Sequence, residues 1–172
     1  MRAYVSMCFG DPWEGDVPVD QVVDVALRLM DLGCDQLSLG DTIGVATTGQ
    51  VHRLLAALGD RGIGPDRIGV HFHDTYGQAL ANIYASLELG IHTFDASVAG
   101  LGGCPYAKGA TGNVGTEDVL FMLNGLGIET GVDLDKLVDA AAFISGVLGR
   151  KPVSRTGNAL LAKRAAALAV AA

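Results

Sequence analysis

Positive charge is scarce in this chain of 172 residues: 12 Lys and Arg stand against 19 Asp and Glu, a formal net charge of −7. That balance argues against a basic groove for nucleic acid and against a surface held electrostatically to a membrane, so a small-molecule partner is expected. Cysteine is also sparse. Cys8, Cys34 and Cys104 are too few and too scattered for a disulfide framework, and an odd count leaves one thiol over, so a reducing compartment, the cytoplasm, is expected. No apolar run approaches a membrane span, and the stretch from Met1 to Ser6 lacks the long apolar segment and small-residue cleavage site of a secretory leader.

What the chain does have is 49% hydrophobic residues and 24 glycines, a composition that suits one compact α/β domain over residues 1–172. Short β-rich apolar runs alternate with segments of helical period, the signature of βα units on a parallel sheet. Strands are expected at Arg2 to Phe9, Gln36 to Leu39, Ile68 to Phe72 and His92 to Val98. The helices between them place Val22, Val23, Leu27 and Met30, then Val51, Leu54, Leu55 and Leu58, then Leu80, Ile83, Tyr84 and Leu87 inward. Leu32-Gly33 and Leu89-Gly90 stand at matching helix ends, a weak internal repetition. After the fourth strand, Gly100 to Gly115 carries six glycines and reads as a functional loop, followed by a helix that Thr116 can cap and by helices at 134–148 and 158–170 separated by Pro152. Four consecutive βα units with carboxy-terminal helices make half of a (β/α)8 barrel; a doubly wound, flavodoxin-like sheet also fits the pattern, and both put ligands at the carboxy ends of strands.

Polar residues cluster at those ends. His71 and His73 are two apart on one strand, so both imidazoles share a face and can reach one cation; a pair of hydrogen-bonded structural histidines is the alternative. His52 and His92 have no such arrangement and read as surface or packing residues. Asn113, directly after Gly112, can bring an amide oxygen to a hard cation, or can be a turn asparagine in the left-handed region. Cys104, between Gly103 and Pro105, is a loop thiol suited to acid or base work, whereas most free cysteines are small buried apolar residues. Asp41 and Thr42 can bind substrate, orient neighbouring groups, or cap a helix. Glu117 and Asp118 can support the site from behind or serve only the helix start, where negative charge meets the positive end of the helix dipole.

The run Ser97-Val98-Ala99-Gly100-Leu101-Gly102-Gly103-Cys104-Pro105-Tyr106-Ala107, continuing to Gly112-Asn113, resembles the signature loop of the 3-hydroxy-3-methylglutaryl-CoA lyases. His71-Phe72-His73-Asp74-Thr75-Tyr76-Gly77-Gln78-Ala79 and Ser38-Leu39-Gly40-Asp41-Thr42-Ile43-Gly44 resemble the same family, so the likeness covers all but the alanine-rich tail. It implies a partial TIM barrel and a carbon–carbon lyase acting on an acyl-CoA substrate with Mg2+ or Mn2+. His71, His73 and Asn113 would be metal ligands, Cys104 the acid or base, and His71 an aid to proton transfer. Related metal-dependent aldolases and Claisen-type synthases rank second.

The family pattern also uses an Arg-Asp pair after the barrel's first strand, where Asp completes the metal site and Arg polarises substrate. Arg followed by Asp occurs nowhere in this chain. The expectation is therefore the carboxy-terminal half of the barrel, inactive alone, with unpaired edge strands and inward apolar side chains that favour a homo-oligomer or association with the missing half. A non-catalytic remnant or assembly partner is the competing class.

Overall fold

A computed structural model describes residues 1–103, 109 and 111–171, and it divides the chain into two compact units. Unit one is Met1–Asp95 with Gly103–Gly112; unit two is Ala96–Gly102 with Asn113–Ala172. Cys104, Pro105 and Tyr106 of the signature loop lie outside the described residues.

Unit one runs β1 (Arg2–Val5), α1 (Val19–Asp31), β2 (Gln36–Asp41), α2 (Thr48–Asp60), β3 (Ile68–Phe72), α3 (Ala79–Glu88) and β4 (Thr93–Asp95). All neighbouring strands pair in parallel in the order β1-β2-β3-β4, as βαβ crossovers between sequential strands produce. Pro18 precedes α1 with fixed extended geometry, and Gln50 Oε1 accepts from the Thr47 amide and hydroxyl at 3.0 Å to start α2. The repetition around Leu32-Gly33 and Leu89-Gly90 has a structural cause. Each glycine takes a left-handed φ, 91° and 86°, which lets the next amide reach back: Cys34 N to Leu29 O at 3.2 Å and Ile91 N to Ser86 O at 3.0 Å.

The core of unit one lies between the sheet and its helices. Leu37, Leu39, Ile68, Val70 and Phe72 alternate onto one face and meet Val22, Val23, Ala26, Val51, Leu54, Leu58 and Ile83. The alternate positions, Arg2, Gln36, Ser38, His71, Thr93 and Asp95, are polar, so the expectation of an apolar inward wall is wrong for this sheet.

Three other expectations change. β1 stops at Val5 because Met7 adopts φ 58°, held there by its amide donating to Thr42 Oγ1 at 2.8 Å. β4 is only Thr93–Asp95, because Ser97 already bonds outside the sheet, its amide donating to Val114 O at 3.1 Å. In α3 the buried face is Ala79, Asn82, Ile83 and Ser86, while Tyr84 is exposed. Two polar residues go inside with donors paired there: Asn82 Nδ2 donates to Ala46 O and Ser86 Oγ to Asn82 O, both at 2.8 Å, while Asn82 Oδ1 has no partner among the described residues.

Unit two comprises a short 3-10 turn (Val98–Gly100), α4 (Thr116–Gly125), α5 (Leu134–Leu148) and α6 (Arg155–Ala171). The cap of α4 is Gly115, with Thr116 already helical, one residue earlier than the sequence suggests. Asp133 caps α5 by accepting from the amides of Asp135 and Lys136 at 2.9 and 3.1 Å, and Asp118 accepts from the amides of Arg155 and Thr156 at the start of α6. Val119, Leu120, Leu123, Val138 and Ala141 are buried, whereas Leu168 and Val170 near the end of α6 are exposed.

Candidate active site

The parallel strand β3 delivers both histidines to one edge. His71 is its second-last residue and His73 follows it directly, so alternation turns both rings the same way, with centroids 5.2 Å apart and planes inclined by 56°. His73 is buried and His71 half-buried. A backbone bond from the Asp74 amide to Gly112 O, 2.8 Å, ties the residue after His73 to the one before Asn113 in the chain.

Beside the pair lies a group that the sequence reading missed. Asp95 of β4 is in register with His71 of β3, and its Oδ2 is 3.9 Å from His71 Nδ1. The same oxygen accepts from Arg2 Nη2 and from Ser38 Oγ, each at 2.8 Å. Ser97, inside the strand expected from His92 to Val98, belongs to unit two, and Asp95 is the last residue of β4.

Asp41 faces the other way. It is in register with Phe72 on the helix-facing side, while His71 pairs with Gly40. Its Oδ1 accepts from Val45 N at 2.9 Å and its Oδ2 from Ala46 N at 3.1 Å, and burial pushes the carboxyl up to about 6 even though these amides favour its charged form. The loop it fastens must stay close-packed: Gly44 has φ 73°, and a Cβ there would meet Thr75 Oγ1 at 2.5 Å. Thr42, through Met7, shapes the neighbouring turn. Both residues hold backbone next to the histidine strand. Asp74, following His73, accepts from Ala79 N at 3.0 Å and begins α3.

In unit two, Asn113 is half committed. Its Nδ2 donates to Leu101 O at 2.8 Å, which fixes the amide plane, while Oδ1 is buried with no partner among the described residues. Gly102 makes this possible: with φ 106° it leaves space that a Cβ would fill 2.4 Å from Nδ2. An acceptor left unpaired at such cost is what a bound cation would satisfy. Glu117 is fully buried; its Oε1 accepts from Ala99 N at 2.7 Å, holding Ala99 at φ 58°, and its Oε2 has no partner among the described residues. Asp118 is used at the start of α6.

In donor type the two imidazoles of unit one suit a divalent ion, and the oriented amide oxygen of Asn113, in unit two, is of a kind that a hard cation also accepts. Among the described residues no three His, Cys, Asp or Glu side chains form a metal-holding group. No helix among them is long and apolar enough to cross a membrane.

The sequence matches the family described as HMGL-like over residues 3–144. It is 59% identical over 163 residues to a Pseudomonas aeruginosa protein named 3-hydroxy-3-isohexenylglutaryl-CoA/hydroxy-methylglutaryl-CoA lyase, covering 95% of this chain and 54% of that one. The structure of hydroxymethylglutaryl-CoA lyase from Pseudomonas aeruginosa superposes with a TM-score of 0.90 at 59% identity, covering 94% of this chain and 54% of that chain. An HMG-CoA lyase from Acinetobacter baumannii, in complex with coenzyme A and 3-methylmalate, gives 0.86 at 37% identity over 92% of this chain and 52% of that chain. The chain therefore spans about half the length of the relatives it matches.

Proposed function

The chain belongs to the HMGL-like family, and on that premise we propose that it supplies four βα units of a (β/α)8 lyase cleaving 3-hydroxy-3-methylglutaryl-CoA to acetyl-CoA and acetoacetate. The observation that carries this reading is the two same-facing imidazoles at the end of β3. His71 and His73 would hold a divalent cation, Mg2+ or Mn2+, with Asn113 Oδ1 as a third donor. Such a cation supplies Lewis acidity at the substrate's C3 hydroxyl and lowers the cost of its alkoxide.

The chain's own residues would do the rest. A base takes the proton of that hydroxyl, and His71, as a ligand beside it, assists the transfer. The alkoxide then becomes a ketone as the C2–C3 bond breaks, the bonding pair moving into the thioester to give the acetyl-CoA enolate. Cys104 would deliver a proton to the enolate carbon. Asp41, Thr42, Glu117 and Asp118 act one step back, by holding the backbone of the turns around the site.

The chain lacks an Arg-Asp pair, so we place these units as the barrel's carboxy-terminal half, with the complementary half supplying one carboxylate ligand and one cation. The two free, buried thiols Cys8 and Cys34 suit a reducing compartment, in keeping with a cytoplasmic enzyme. Because the chain spans half of its relatives, a non-catalytic assembly partner is the second reading, and association with a second copy or with the other half belongs to both.

A coupled acetoacetate assay with Mn2+ decides. The chain with its complementary half should turn over, and the chain alone should not. In the active assembly Cys104→Ala should lower the rate roughly 10²- to 10⁴-fold, the worth of a positioned acid, while leaving Mn2+ affinity unchanged. Absence of turnover in the complete assembly would sink the lyase reading.

A further inference from the structure

The inner face of the sheet carries a polar assembly that the proposed ligand set does not use. Arg2 stands at the start of β1, yet its guanidinium reaches Asp95 on β4, three strands away. The route is open because residue 69 of β3 is glycine: a Cβ there would lie 2.6 Å from Arg2 Nη2. Tyr4 flanks it, its ring centroid 5.1 Å from Arg2 Cζ. From β2, fully buried Ser38 donates to the same Asp95 oxygen. Two donors from two strands therefore fix one carboxylate oxygen, and the strand register places His71 Nδ1 3.9 Å from it. An ion pair that served stability alone would need neither the crossing of the sheet nor the third group.

We propose that Asp95 is a positioning residue for His71. Its carboxylate, held by Arg2 and Ser38, draws the Nδ1–H of the imidazole, so that Nε2 presents its lone pair toward the candidate metal position. This rests on the reading of His71 as a ligand. At 3.9 Å the contact is electrostatic, and a small turn of the ring closes it to a hydrogen bond, as happens when a site takes up its load. A carboxylate behind a ligating histidine selects the tautomer, fixes the ring plane and raises the basicity of the outward nitrogen. Gly69 is in this account a requirement of the site, since any side chain there would displace the arginine that orients the carboxylate.

The test uses the complete protein carrying this chain. Asp95→Asn keeps the size of the residue and an oxygen for Arg2 and Ser38 but removes the charge. Long-range nitrogen–proton NMR should show His71 moving from the Nδ1–H tautomer toward a mixture, and calorimetric titration should show Mn2+ affinity falling roughly 10- to 100-fold. Asp95→Glu should restore part of both. Gly69→Ala, which touches neither charge, should move the His71 signal in the same direction, and it carries the test if Asp95→Asn does not fold. An unchanged tautomer in the folded variants overturns the proposal. His71→Ala separates this from the ligand reading: if Mn2+ affinity survives that substitution the ligand assignment falls, while the tautomer of His71 in Asp95→Asn still decides the positioning role.

Discussion

The two faces of the four-stranded sheet are made from alternate residues of the same strands, yet they share almost no chemistry. Toward the helices stand Leu37, Leu39, Ile68, Val70 and Phe72, all 2% exposed or less; toward the other side stand Arg2, Gln36, Ser38, His71, Thr93 and Asp95. The first face gains stability by leaving water, roughly 1.5–3 kcal/mol for each large side chain fully buried. The second spends its positions on directed bonds that orient a carboxylate and a histidine. A period of two lets one short strand serve both ends, because neighbouring residues never compete for the same environment.

The largest effect should come from the apolar face. Phe72→Ala removes a ring that is 1% exposed and lies 5.9 Å, centroid to centroid, from Phe9, and should cost about 3–5 kcal/mol of stability in urea denaturation. Mn2+ affinity of the molecules that remain folded should stay within a few-fold of the original, although Phe72 sits between the two histidines. A loss of affinity exceeding the loss of stability would break the division between faces.

The reciprocal change comes next. His73→Ala should weaken Mn2+ binding by about 100-fold or more, since a lost ligand costs at least what a lost partner behind a ligand does, with a small shift in melting temperature. Unchanged affinity by calorimetry would return the histidine pair to a structural role.

Asp41 sharpens the contrast, because it is a carboxylate on the helix-facing side. Its folded pKa of about 6 lies above its unfolded value of 3.8, so the folded state holds the proton more tightly. Its ionisation should therefore subtract stability as pH rises from about 4 to about 6, by about 3 kcal/mol at most. Asp41→Asn has no proton to lose and should flatten that part of the profile relative to the unaltered chain. Parallel profiles in urea denaturation between pH 4 and 7 would show that this face tolerates charge after all.

Smallest is a control away from both faces. Asp133→Ala removes the side-chain cap of α5 in unit two and should cost about 1 kcal/mol, with no change in Mn2+ binding.

The limits of sequence reading follow the same division. α5 was legible around 134–148, and the structure shows its ends marked by the Asp133 cap and by Gly149 in the left-handed region. α3 was legible as a helix, but only part of its face was: Ile83 is buried as expected, whereas Tyr84 is exposed, and Asn82 and Ser86 point inward because the Ala46 carbonyl and the helix's own backbone accept their protons. Asp95 escaped notice because its importance depends on what stands beside it in register, and Arg2 lies 93 residues away in the chain. A search for alternate polar residues across all four strands would have been the signal.

From sequence alone came the alternation of strands and helices, the same-facing pair His71 and His73, and the glycine-rich loop with Asn113, since each depends on residues close together in the chain and on fixed helix and strand periods. Tertiary structure decided where β1 and β4 stop, which way Asp41 and α3 face, and that Arg2, Ser38 and Asp95 meet behind His71. Those outcomes depend on register and on which distant donor finds which acceptor, and hydrogen bonds between strands are set by packing that no local window of sequence contains.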